Sequence, residues 1–269
     1  MGQGKYIGTV VKHFKILPID ISKYKNTYID YLDHNDNYIV YTGEKLKPLD
    51  NKFFFIIIGI DDEGDEIEHK LEHGKDFTTK YKNNINTGTA EITITGINNY
   101  TGKFTKKFII DPEHIYNIEC KISINEEQIY SGEKKEPVLN IVLTNGKRLI
   151  LGQDYEVEYK DNISAGKGII IIKGINNYDD SMQVYFEIKP KNFETMGNNL
   201  KISIPNQEYT GKKLQPKITV KDGKTELKLD TDYTVSYKNN TNVGTATVTI
   251  TGKGNYKGTI TKTFKIVKK

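Results

Sequence analysis

Gly96-Ile97-Asn98-Asn99-Tyr100 recurs as Gly174-Ile175-Asn176-Asn177-Tyr178, and again as Gly252-Lys253-Gly254-Asn255-Tyr256. The interval is 78 residues both times, from 96 to 174 and from 174 to 252. A fourth copy, Gly2-Gln3-Gly4-Lys5-Tyr6, stands 94 residues before the first. In all four a phenylalanine follows the tyrosine by eight residues, at Phe14, Phe108, Phe186 and Phe264. A register held over four copies marks duplicated structural units.

Other landmarks keep the same step. Tyr41-Thr42-Gly43, Tyr130-Ser131-Gly132 and Tyr209-Thr210-Gly211 are each followed by a proline seven residues after the tyrosine, at Pro48, Pro137 and Pro216. Aromatic pairs four apart follow: Phe77 and Tyr81, Tyr155 and Tyr159, Tyr233 and Tyr237. Glycines at 88, 166 and 244 then open the next segment. The apolar period within a block is two. Tyr233, Val235 and Tyr237 alternate with Thr234 and Ser236, and Ala246, Val248 and Ile250 alternate with threonines. One apolar face at period two describes a half-buried antiparallel strand. Asn145-Gly146 and Asp222-Gly223 are hairpin signals, since both turn positions of the favoured two-residue turn need positive φ. Helix content is expected close to nil.

Short strands with regular turns in units of 78 residues predict an all-β chain of tandem immunoglobulin-like β-sandwich domains. The expected boundaries are 1-16 for the closing strand of a truncated repeat, 17-110 for a first domain with an insertion, 111-188 for a second and 189-269 for a third. Each closing strand meets a proline two residues on, from Ile16 to Pro18, Ile110 to Pro112 and Ile188 to Pro190. Proline ends the ladder and stiffens the joint, so a semi-rigid rod is expected.

The third block carries a family resemblance. Leu229-Asp230-x-Asp232-Tyr233-x-Val235-x-Tyr237-x-Asn239-Asn240, then Gly244-Thr245-Ala246, then Thr251-Gly252-x-Gly254-Asn255-Tyr256-x-Gly258-Thr259, resembles the bacterial Ig-like (MBG-type) repeats of Gram-positive surface proteins. The second block departs at Gly166-Lys167-Gly168 and Asp179-Asp180, and the first carries an insertion. The resemblance spans about Gly2 to Ile266. It implies stalk and adhesion roles, with no catalytic residues and no cofactor.

Composition narrows the function classes. A net charge of +4, from 39 basic and 35 acidic residues mixed along the chain, lacks the basic stripe that nucleic acid needs. No run approaches the ~20 apolar residues that span a bilayer, so no membrane span is expected. Met1-Gly2-Gln3-Gly4-Lys5 lacks a signal peptide's apolar segment, so a secreted protein would have to be represented here by an excised piece. Cys120 alternates with Ile122 and Ile124, which predicts a buried, inert thiol.

Each candidate site has a plainer reading beside it. His69-Lys70-Leu71-Glu72-His73 matches a zinc-protease pattern, but that chemistry needs a helix, and the sister segments read as strand. Asp61, Asp62 and Asp65 form a dense acidic turn and are weak metal candidates; a solvated hairpin tip is the favoured reading. Lys12, Lys106 and Lys262 fall on the inward parity of the closing strand, where snorkelling accounts for them better than an isopeptide crosslink. The repeated Asn-Asn pairs fit turn geometry better than sugar binding, and there is no tryptophan.

Two features point to interaction surfaces. Ile169 and Ile171 occupy a parity that is polar in the sister strands, and Phe53, Phe55 and Ile57 belong to a run apolar on both parities. Tyr41 to Phe77 spans 36 residues, against 25 from Tyr130 to Tyr155 and 24 from Tyr209 to Tyr233, so the first block is longer there. Residues 2-16 are expected to dock near Phe53–Ile60 of the first block, or to self-associate with another copy. The expected function is a non-catalytic structural or adhesive module of a bacterial cell-surface protein, extracellular, touching protein or glycan. The alternatives are a phage virion decoration, with other virion proteins as partners, and a carbohydrate-binding accessory module.

Overall fold

The computed structural model describes Gly4 and residues 8–24, 39–49, 54–60 and 66–268; within 54–67 and at 69 the backbone alone is described, save at residue 60 and at Glu68. The chain is all-β, and the helical elements among the described residues are four 3-10 turns. They occupy Ile21–Lys23, Ile115–Asn117, Phe193–Thr195 and Gly197–Asn199. The first three each bury one apolar residue at the same place in the block: Ile21, Ile115 and Phe193. These anchors follow the joint prolines, and no periodicity announces them.

Two compact bodies are present. The first comprises Met1–Glu113 with Asn176–Asp179, the second His114–Ile175 with Asp180–Lys269. Neither expected division, at 110/111 or at 188/189, coincides with a boundary between these bodies. The second and third sequence blocks share one body, and the closing turn of the second block belongs to the first body.

In the first body the strand Gly88–Gly96 lies between Phe77–Lys82 and Lys103–Ile110, antiparallel to both. Ala90, Ile92 and Ile94 are fully buried while Thr89, Glu91 and Thr93 take the other face, as the period-two reading requires. A separate hairpin pairs Phe54–Ile60 with Glu66–Glu72, Ile57 opposite His69. Ile19–Asp20 runs parallel to Tyr100–Thr101.

The second body holds two four-stranded sheets of one design. One has the order Gln128–Ile129, Ser181–Lys189, Gly166–Gly174, Tyr155–Lys160, and the other Gln207–Glu208, Thr259–Val267, Gly244–Gly252, Tyr233–Lys238. The registers agree between them: Tyr155 faces Gly174 as Tyr233 faces Gly252. Leu139–Leu143 pairs with Cys120–Ile124, and Thr219–Asp222 with Leu200–Ser203. The core of the third block gathers Phe193, Ile218, Val220, Leu227, Tyr233, Val248 and Ile250, with Tyr130 of the second block packed against it. Glycine is required at Gly252 because a Cβ there would meet the backbone N of Lys257 at 2.6 Å. At Asn145-Gly146 and Asp222-Gly223 only the glycines have positive φ, so the two-residue hairpin expected there does not form.

The docking of the N-terminal segment onto the first block does not occur. Residues 8–17 join no strand, Phe14 is 86% exposed, and Val10 and Ile16 are similarly bare. Phe54–Ile60 pairs with its hairpin partner instead.

Candidate functional site

Three side chains repeat one structural role in every block. Asn84, Asn162 and Asn240 are buried. Each donates its Nδ2 to a loop carbonyl, of Leu46 at 2.6 Å, Lys135 at 2.9 Å and Leu214 at 2.7 Å. The same three loop residues return their N–H to the asparagine carbonyl at 2.8, 2.7 and 2.7 Å. The preceding residues Asn83, Asp161 and Asn239 stand at φ 56°, 51° and 57°, a left-handed turn that Asn and Asp tolerate. Tyr159 and Tyr237 donate their hydroxyls to the carbonyls of Pro137 at 2.8 Å and Pro216 at 2.7 Å, which ties the repeated tyrosine to the repeated proline. In the longer first block Tyr81 accepts instead, from the N–H of Leu49 at 2.9 Å.

The second asparagine of the closing turn does something else. In the first body the N–H of Thr87 donates to Oδ1 of Asn177 at 3.0 Å, and the rings of Tyr41 and Tyr178 meet edge to face at 5.5 Å. In the second body the N–H of Ala165 donates to Oδ1 of Asn255 at 2.7 Å, and Tyr130 meets Tyr256 at 5.6 Å. Thr87 and Ala165 lie 78 residues apart, as do Asn177 and Asn255. Each contact joins a loop of one block to the closing turn of the next. The asparagine is held in place by its own block, because its carbonyl accepts from Glu113 at 3.1 Å or from Lys191 at 2.9 Å. The tyrosine is held by the end of its block's last strand: Tyr41, Tyr130 and Tyr209 donate N–H to Asp111, Lys189 and Val267, each at 2.9 Å.

Electrostatics strengthens the joint in the second body. Nζ of Lys191 lies 2.7 and 2.6 Å from the two oxygens of Asp222, and the Tyr256 hydroxyl donates to Asp222 at 3.3 Å. Burial, then the neighbouring Asp222 charge, pushes the Tyr256 hydroxyl well above the usual tyrosine value, so it stays a neutral donor. Lys189 pairs with Glu127 beside them and holds that carboxyl below its usual range.

The sequence-expected sites separate from this joint. Phe53, Asp61, Asp62 and Asp65 lie outside the described residues, and for Phe55 and Ile57 only the backbone is described. His69 sits on the strand Glu66–Glu72 and not on a helix, and the His73 ring packs on Phe77 at 5.4 Å. Ile171 is 9% exposed and Ile169 half-buried. No partner is needed to cover them. By register Ile171 stands between Glu158 and Gln183, and Ile169 between Lys160 and Tyr185. Lys173 reaches Glu158 at 2.9 Å and holds its carboxyl below the ordinary range, while Lys167 lies 3.4 Å over the Tyr185 ring. The stems of those long side chains roof the isoleucines, leaving little of Ile171 to offer a ligand. Cys120 is half-buried where a buried position was expected, and burial pushes its thiol up. Lys106 is half-buried and Lys262 exposed, as snorkelling requires.

An open groove of about 610 Å³ in the third block is lined by Pro216, Ile218, Leu227, Tyr233 and Tyr237. Its most prominent polar group, the Tyr237 hydroxyl, is already committed to Pro216. Among the described residues no helix is long and apolar enough to cross a membrane. Comparison with protein-family models found no match, and comparison with curated proteins found none.

The joint was only half legible in the sequence. Asn177 and Asn255 belong to the repeated motif, yet turn formation alone explains an asparagine there. The donors are backbone amides of a threonine and an alanine, which leave no mark in residue type.

Proposed function

We propose that the chain is a non-catalytic structural or adhesive module of a bacterial cell-surface protein. In this reading its blocks are Ig-like β-sandwich domains set in a semi-rigid rod that spaces or presents a binding region. The observation that carries it is the same tyrosine pair and the same asparagine-to-amide bond in both bodies. Reused joints with proline-bounded connections of a few residues favour a fixed spacing over free tumbling. The resemblance to MBG-type repeats supports the surface setting.

Small-angle scattering on the intact chain tests the reading. The parent should scatter as an extended, stiff particle, and Tyr130→Ala with Asn255→Ala should broaden its distance distribution without unfolding the sheets. A compact parent, or a double variant that scatters identically, overturns it. Antibody labelling of intact source cells tests the location independently.

A further inference from the structure

The joint has two halves, and two of them stand unfilled. On the third block Tyr209 is 45% exposed, against 7% for Tyr41 in its filled counterpart, and Val243, matching Thr87 and Ala165, is 46% exposed. Tyr209 nevertheless holds the working pose. A Cβ built on Gly211 would lie 3.9 Å from its hydroxyl, as at Gly132 and Tyr130 (3.9 Å) and Gly43 and Tyr41 (3.8 Å). On the first block the carbonyl of Asn99 accepts from Ile19 at 2.9 Å, so the closing turn is posed as at Asn177 and Asn255. Among the described residues its side-chain amide shows no hydrogen bond, and Tyr100 is half-buried where Tyr178 and Tyr256 are buried.

A third loose end matches these two. Gly8-Thr9-Val10-Val11-Lys12-His13-Phe14-Lys15-Ile16 repeats Gly258-Thr259-Ile260-Thr261-Lys262-Thr263-Phe264-Lys265-Ile266 with six of nine residues identical. The closing strand of the first block shares four with it and that of the second two. In the third block this strand is buried, with Phe264 only 3% exposed in a cluster with Ala246 and Ile266. Its duplicate at the N-terminus leaves the equivalent side chains bare.

We propose that the chain binds a second copy of itself head to tail. Gly8–Ile16 of one copy takes the place of Thr259–Ile266 in the third block of another, pairing antiparallel with Gly244–Gly252. The strand exchange is close to neutral, since one Phe and one Ile replace another Phe and Ile. The net gain comes from the joint. With Ile16 at the end of that strand, Pro18 follows as Pro190 follows Ile188, and the next block's closing turn arrives on the exposed face. Asn99 then accepts from the Val243 N–H, and Tyr100 packs on Tyr209, as in the two filled joints. The inference rests on the joint geometry and not on the cell-surface reading. Exchange of this kind gives open, heterologous contacts that extend into chains.

Sedimentation across a concentration series tests it. The parent should associate reversibly. Phe14→Asp and Tyr209→Ala should each weaken association by about tenfold or more, because each removes a buried aromatic contact. Phe14 is bare in the monomer, so an unchanged melting curve for Phe14→Asp shows that folding is not the cause. Mixing two Cys120→Ser proteins, one with Lys15→Cys and the other with Thr245→Cys, should yield a crosslinked dimer on oxidation, because Lys265 faces Thr245 in the ladder. A parent that stays monomeric up to about 100 µM, where even weak specific contacts register, overturns the proposal. So does association that survives Phe14→Asp, or preferential crosslinking to Thr89→Cys, the matching position in the first block.

Discussion

At the scale of single residues, asparagine carries this protein. The buried clamps Asn84, Asn162 and Asn240 satisfy two backbone groups of a loop that has no ladder of its own. Asn240→Ala should therefore cost about 1–3 kcal/mol, since it strands the Leu214 carbonyl next to the core. Urea unfolding monitored by tyrosine fluorescence reads that loss; Asn242→Ala, in the same loop, should change it by less than about 0.5 kcal/mol. Tyr256 gives a pH dependence with a definite sign. Its folded-state value is raised above the unfolded tyrosine value of 10.0, so its contribution is complete below that pH and is lost as pH climbs above it. Burial raises Tyr155, Tyr159, Tyr233 and Tyr237 as well. Stability should fall steadily above pH ~10, and Tyr256→Phe should make that fall shallower. An equal slope in the variant would show that Tyr256 ionises freely.

At the scale of elements, the strand Gly166–Gly174 shows how a two-sided apolar strand stays soluble. Its inner residues Ile170 and Ile172 are fully buried, as Val248 and Ile250 are in the third block. Its outer isoleucines lie under the Glu158–Lys173 pair and the Lys167–Tyr185 contact. Ile171→Thr should cost about 1–3 kcal/mol, because it puts a hydroxyl into a covered site. Ile169→Thr, half-exposed, should cost less than about 1 kcal/mol. Equal effects in thermal unfolding would mean that the outer face is not roofed as described. The 3-10 turns at Ile21, Ile115 and Phe193 supply a further device at this scale, each pinning the start of a block to its core with a single side chain.

At the scale of the whole molecule, the N-terminal segment separates folding from assembly. Val10, Phe14 and Ile16 touch little, so removing residues 1–16 should leave the melting profile of a dilute sample unchanged. The same deletion should abolish concentration-dependent association. A lowered melting temperature at low concentration would instead mean that the segment supports the first body.

The sequence by itself determined the all-β class, the position of most strands and the two glycine-bounded tyrosine motifs. Period-two patterning and positive-φ turns are local properties that residue type records directly. The inner faces of Gly88–Gly96, Gly166–Gly174 and Gly244–Gly252 were legible for that reason. Tertiary structure alone decided which parts form one body, because the joint is made by backbone amides of Thr87 and Ala165 and by the placement of rings whose identity also suits a plain turn. It also decided that Ile169 and Ile171 are covered from within. Covering depends on where cross-strand lysine and glutamate stems fall once the register is set, and a linear sequence does not specify which long side chains will be neighbours.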